Sequence, residues 1–290
     1  MLDGILEAIE NWMRDLLTGM VMSNLATMYT DVNEKTGQIA AEVGRTPQAW
    51  NGNIFGMIRD LSDTVMMPIA GMIITFVLCY ELISMLTERN NMHEIDTWMF
   101  FKYFVKMWIA VYIVSHTFDI TMAVFDVGQH IVSAAAGVIS DNTTVDIEQM
   151  VQKFEESAED MEIPELFGLA LESFIVSLGM KILSVLITVI LYVRMVEIYL
   201  YISVAPVTFS TFGNREWGQI GNNYLRGLFA LAFQGFFMMV CVGIYAVLVS
   251  TIQFSDNLHS ALFGVTAYTV ILCFSLMRTG SLAKQVFSSH

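Results

Sequence analysis

Apolar residues run along this chain in long unbroken blocks, not in short alternating ones. The first is "DTVMMPIAGMIITFVLCYELISMLT", about 63–87. A second covers about 101–126, a third starts at Leu166, and two more occupy about 228–251 and 258–277. Each is long enough to cover the ~30 Å hydrocarbon core of a bilayer. The ~10-residue alternation of a membrane barrel is absent, so helices are the remaining way to satisfy a backbone in lipid. The pattern therefore predicts an all-α, polytopic helical membrane protein. Pro68 falls in the first turns of the first block, where a missing N–H is tolerated.

Residues 1–62 are too polar to span. Leu2, Ile5, Leu6, Ile9, Trp12, Met13, Leu16, Leu17 and Met20 recur at helical spacing, which predicts an N-terminal amphipathic helix. Glu7, Glu10 and Asp15 dominate its polar face. Membrane-surface helices usually carry bases there, so packing on protein is the better expectation. A polar connection, "DVNEKTGQIAAEVGRTPQAWNGN", follows. The opening residues have neither a basic start nor a cleavage site, so no removable signal is expected.

Charge orders these blocks in the membrane. Of 290 residues 55% are hydrophobic and only 14% charged, against about a quarter charged in soluble domains. Lysine and arginine near the spans set the orientation, and acidic residues count for little. Arg89, Lys102 and Lys106 follow span one, whereas 127–164 holds only Lys153 among many acids. That contrast places the 88–100 connection inside and 127–164 outside. Arg278 and Lys284 place the C-terminal end inside, and Arg215 and Arg226 do the same for the loop 213–227. From the outer acidic loop to that inner loop the chain must cross an odd number of times, and 166–212 is too short for three crossings. Five spans follow, with the N-terminus out and the C-terminus in; a six-span alternative makes Val196–Phe212 a short span of its own. The expected order is an extracytoplasmic amphipathic region (1–62), spans one and two (63–126), an acidic extracytoplasmic loop (127–164), and span three with an inner extension broken near Pro206 (165–212). A cytoplasmic loop (213–227), spans four and five and a short tail (228–290) complete it.

Candidate chemistry is sparse. Cys79, Cys241 and Cys273 lie far apart in apolar runs and make neither a disulfide framework nor a metal site. His93-Glu94 begins like a metalloprotease motif, but Thr97 stands where the second histidine is needed. No catalytic, cofactor or metal site is expected. Charges within spans are costly and call for partners. Lys181 lies 15 residues past Leu166 and Glu81 18 past Asp63, ~22 and ~27 Å deep at 1.5 Å per residue. Their similar depth suggests an intramembrane Glu81–Lys181 pair, as a structural bridge or as part of a polar conduit. Asp119 and Glu172 should face water near the outer ends, and Arg194 and Glu197 can pair on one helix face. In the acidic loop, Ile147, Met150, Val151 and Phe154 recur at helical spacing, as in an amphipathic helix that could dock a partner.

The outer amphipathic region, the acidic loop and the proline segment leading to a tryptophan-bearing loop together resemble the TrbL-like family of conjugal transfer proteins. These are polytopic inner-membrane components of type IV secretion systems. The resemblance is drawn chiefly on "APVTFSTFGNREWGQIGNNYLRGLFALAFQGF", Ala205–Phe236, and "DTVMMPIAGMI" is similar to members from Gram-positive mobile elements. It implies a non-enzymatic channel or scaffold subunit of the bacterial cytoplasmic membrane, a homo-oligomer beside a secretion ATPase and other envelope subunits. It also implies transient contact with transferred single-stranded DNA or protein. Pro206, Arg215, Trp217 and Arg226 would then serve partner binding. With a net charge of −14, the chain is no electrostatic trap for DNA, which needs clustered bases. A secondary transporter for a small solute is the alternative, although such folds usually carry internal repeats with matched helix breaks. Pro68 and Pro206 share no surrounding pattern.

Overall fold

The computed structural model describes residues 2–87, 97–140, 152, 154–158, 161–214, 216–252 and 258–288. Among them every regular element is helical: α1 (Leu2–Val43), α2 (Pro47–Trp50), α3 (Gly52–Leu61), a π-turn (Ser62–Met66), α4 (Met67–Thr87), α5 (Thr97–Ser115), α6 (Thr117–Ser140), α7 (Ile163–Phe209), a 3-10 turn (Ser210–Gly213), α8 (Gly218–Ile252) and α9 (Leu258–Ser288). Six stretches are long and apolar enough to cross a membrane: Gly52–Thr87, Thr97–Ser115, Thr117–Ile139, Ile163–Gly213, Gly218–Ile252 and His259–Phe287. The polytopic helical class read from the sequence is the one found.

Six stretches need not make six crossings. Only His116 separates α5 from α6, and helical bonds run into and out of it: His116 N–H donates to Tyr112 O at 3.1 Å, and Ile120 N–H to His116 O at 3.0 Å. A helical hairpin needs a loop of ~2–5 residues, so α5 and α6 run on as one rod across a one-residue break. The break has a cause. Thr117 Oγ1 donates to Ile113 O and Val114 O at 3.0 and 2.7 Å, a side-chain intrusion of the kind that bends helices. The apolar stretches thus make five rods. Val196–Phe212, the proposed extra span of the six-span alternative, is no separate helix but the end of α7 with the 3-10 turn that follows it.

Five boundaries differ from expectation. The loop expected over 213–227 is short, because α8 begins at Gly218 and carries Arg226 on its first turns. The polar connection after the N-terminal helix is itself helical as far as Val43, because Val32, Ile39 and Val43 are buried and give it an inner face. Span one starts earlier than Asp63. It runs unbroken from Gly52, so Pro68 sits in its interior, and the π-turn just before it widens the helix where a proline ring would crowd the preceding carbonyl. The acidic loop is helical through Ser140. Last, α7 continues through Pro206 and changes to 3-10 geometry only after Phe209. The carbonyls of this last stretch are taken by hydroxyls instead: Thr208 to Ala205 O (2.9 Å), Ser210 to Val207 O (2.6 Å) and Thr211 to Thr208 O (2.8 Å).

The chain divides into two compact units, 1–43 with 132–191 and 237–279, and 44–131 with 192–236 and 280–290. In the first, Val21, Tyr29, Val32 and Ile39 of α1 join Leu166, Leu169, Met238 and Val265 in one apolar cluster. Phe154 belongs to it and is fully buried, so this residue of the expected docking helix is used internally; Ile147, Met150 and Val151 lie outside the described residues. Arg14 secures the segment by donating to Met161 O (2.8 Å) and Ala158 O (3.1 Å). Burial pushes the Tyr29 hydroxyl above its usual pKa, so it stays neutral. Glu172 is also part of this unit and does not face water as expected. It is largely buried, with one oxygen held by His259 Nδ1 at 2.5 Å. Asp119, by contrast, is exposed.

In the second unit, Ile74 and Leu78 of α4, Ala110 and Val114 of α5, Met195, Ile198 and Ile202 of α7 and Leu228 and Leu231 of α8 form the core. Trp50 packs edge-on against Tyr192, with ring centroids 5.2 Å apart. Tyr199 donates to Pro47 O at 2.7 Å, so the short α2 is pinned to α7. Glu197 receives Lys284 at 2.5 Å.

Candidate functional site

The loop between α7 and α8 is the most tightly specified irregular segment of the second unit. Its anchor is Asn214, 4% exposed. The side-chain oxygen of Asn214 accepts from Glu216 N–H (2.7 Å) and Trp217 N–H (3.1 Å), closing an Asx turn. Its carbonyl accepts from Gly218 N–H at 2.8 Å, at the start of α8. With two N–H donors facing the oxygen, the amide nitrogen must point the other way. It donates to Glu81 Oε2 at 2.8 Å. Glu81 Oε1 is taken by Lys106 Nζ. One carboxylate therefore ties α4, α5 and the loop together, and the charge of Glu81 is both paired and hydrogen-bonded, as a poorly solvated ion requires.

Shape holds the loop as firmly as charge. A Cβ on Gly213 would stand 3.2 Å from Val77 Cγ1, and one on Gly221 would stand 3.0 Å from Thr208 O and 3.1 Å from the Phe212 ring. A side chain at either place would push Val77, Thr208 or Phe212 aside by a few tenths of an ångström, so glycine fits the close approach best. Gly221 N–H donates to Thr211 Oγ1 at 3.1 Å, and Tyr224 donates to Tyr201 O at 2.8 Å. The Tyr201 and Tyr224 rings stack at 5.5 Å.

Of the residues singled out for partner binding, Trp217 and Arg226 are exposed. Trp217 rests on Phe76, with centroids 5.6 Å apart. Pro206 is buried, so it shapes the turn and offers no surface. Arg215 lies outside the described residues. The expected Glu81–Lys181 pair is not the one observed. Both oxygens of Glu81 are taken by Lys106 and Asn214, while Lys181 is exposed and belongs to the other unit. The depth argument counted from Asp63, but the helix begins at Gly52, and a partner across the α4–α5 hairpin needs no match of depth with a distant span. Lys106 had served only as an orientation marker, and Asn214 carried no signal beyond the Asn-x-x-x-Gly spacing of a turn. Among the described residues no cluster of three or more His, Cys, Asp or Glu could hold a metal.

A family model described as "TrbL/VirB6 plasmid conjugal transfer like protein" matches residues 32–206, more than half of the chain. The chain belongs to that family. Membership makes this TrbL/VirB6-like protein a conjugal transfer component of the type IV secretion class, a multi-pass membrane subunit of a larger envelope assembly. Neither a curated protein nor a solved structure gives a match. The family region ends at Pro206. Most of Ala205–Phe236, the stretch on which the resemblance was chiefly drawn, therefore lies beyond it, and the match rests on α1 from Val32 through α7. The α7–α8 loop with Trp217, and the start of α8 with Arg226, are thus features of this TrbL/VirB6-like chain that the family match does not cover.

Proposed function

We propose that this chain is a non-enzymatic scaffold or channel subunit of a conjugative secretion apparatus, and that the surface carrying Trp217 of the α7–α8 loop and Arg226 of the first turns of α8 is its docking surface for a cytoplasmic partner such as the secretion ATPase. One observation carries the reading: the loop is fixed from below by Asn214, Glu81 and Lys106, while Trp217 and Arg226 are left exposed. A pre-set loop with an exposed Trp and Arg is the composition of a binding hot spot, and ordering it in advance lowers the cost of association. On this reading Gly218 and its neighbours face the cytoplasm, the N-terminus lies outside and several copies assemble. The transferred DNA or protein touches the chain only in passing, since the acidic balance gives no grip on phosphates.

The test is affinity purification of the tagged full chain from mild detergent. The ATPase should co-purify with wild type. Co-purification should fall at least ~10-fold for Trp217→Ala combined with Arg226→Glu, since hot-spot side chains are worth ~2 kcal/mol or more each, with the unfolding temperature little changed. Conjugal transfer should fall with it. Unchanged transfer by a stable double variant would reject the docking role, and a monomer that binds a small solute would reject the scaffold reading.

A further inference from the structure

A second site in the same unit has no place in that reading. One face of α5 is a stripe of Trp98, Lys102, Val105, Lys106, Ile109 and Ile113, and together with Phe212 it walls a cavity of about 460 Å³. That volume lies within the ~300–1,000 Å³ usual for small-molecule pockets. The cavity is polar only at one end. There Lys102 is exposed and sits 5.6 Å from the Trp98 ring centroid, with no acidic partner among the described residues. Lys106 Nζ spends one of its donors on Glu81 and keeps others. Below the lysines the floor is wholly apolar.

We infer that this groove binds one anionic phospholipid, with the headgroup phosphate on Lys102 and Lys106 and an acyl chain along Val105, Ile109 and Ile113. Charge decides the head end. Among the described residues, two ammonium groups one helical turn apart, one of them offset by a carboxylate, leave a net positive site that an anionic headgroup fits and a zwitterionic one fits less well. Length decides the tail. From Lys102 to Ile113 is 11 residues, ~16 Å at 1.5 Å per residue, or about half the ~30 Å hydrocarbon core. A single leaflet's chain ends where the apolar stripe ends. Trp98, at the first turn of α5, is the residue type that settles at the headgroup level. A free anion would leave the apolar floor unused, and a partner helix would have to supply an acid at this one point.

The experiment uses the full chain in detergent and native mass spectrometry, with dioleoyl phosphatidylglycerol, dioleoyl phosphatidylcholine or inorganic phosphate added. Wild type should retain the phosphatidylglycerol at least five-fold better than the phosphatidylcholine and should ignore inorganic phosphate. Lys102→Gln should lower that retention about five-fold, the share of one lysine near a charged surface, while Lys102→Arg keeps it. Lys102 is exposed, so neither change threatens folding. Ile109→Trp, which fills the groove without altering charge, should lower retention of both lipids. Equal retention of the two lipids by wild type overturns the proposal, as does an unaffected Lys102→Gln or displacement by phosphate. So does efficient disulfide formation between copies carrying Val105→Cys, which would show a second chain seated in the groove.

Discussion

Asn214 serves two structures at once, and its removal should reveal both. Asn214→Ala deletes the acceptor for two loop N–H groups, a cap worth ~1 kcal/mol, and a hydrogen bond to a charged carboxylate worth ~1.5–3 kcal/mol. We expect a loss of ~2–4 kcal/mol, read as a lower apparent unfolding temperature in detergent. Glu81→Gln should cost less, ~1 kcal/mol, because its amide oxygen still accepts from Lys106 or from Asn214. If the two variants are equally stable, the carboxylate bridge does not organise the loop. Half of this arrangement was legible in the sequence. A glutamate deep in an apolar block must have a partner, and Glu81 was marked for that reason. Which partner it takes is a matter of tertiary register, and counting residues along two helices cannot supply that. Glycines told even less, since Gly213 and Gly221 look like ordinary loop glycines until Val77 and Thr208 are seen against them.

At the scale of elements, α1 separates two kinds of apolar surface that the sequence writes alike. Ile5, Leu6, Ile9 and Trp12 are 50–63% exposed, whereas Val21, Met28, Tyr29, Val32 and Ile39 are at most 2% exposed. Helical spacing marks an amphipathic helix but not which turns are covered, because coverage depends on the packing of α7, α8 and α9 in the same unit. Val21→Asp should therefore prevent accumulation of folded protein, since a buried unpaired charge costs more than ~3 kcal/mol. Ile5→Asp should leave the unfolding temperature nearly unchanged, within ~0.5 kcal/mol of wild type. Size-exclusion profiles and circular dichroism of the two variants separate the outcomes, and equal damage would mean that the first turns are packed as tightly as the middle. The break between α5 and α6 was visible in principle as Ser115-His116-Thr117, three polar residues inside an apolar block. The block's mean hydropathy hid it, because a crossing is judged by its average and a break by three residues.

At the scale of the whole molecule, the parity of crossings governs what each loop can meet. With α5 and α6 counted as one rod, five crossings would place the two ends of the chain on opposite faces; six crossings would place them on the same face. The positive-inside bias of the sequence is the ground for expecting five. The test is labelling with a membrane-impermeant maleimide after Cys79, Cys241 and Cys273 are replaced by serine. Gly4, Gln219 and Gln285 are exposed and suit single cysteines better than Asn214, which is buried. Gly4→Cys should react in intact cells, and Gln219→Cys and Gln285→Cys only after permeabilisation. Reaction of Gly4→Cys and Gln285→Cys from the same side would show an even number of crossings. Reaction of Gln219→Cys from outside would move the surface of Trp217 and Arg226 away from any cytoplasmic ATPase and leave the docking proposal without its partner.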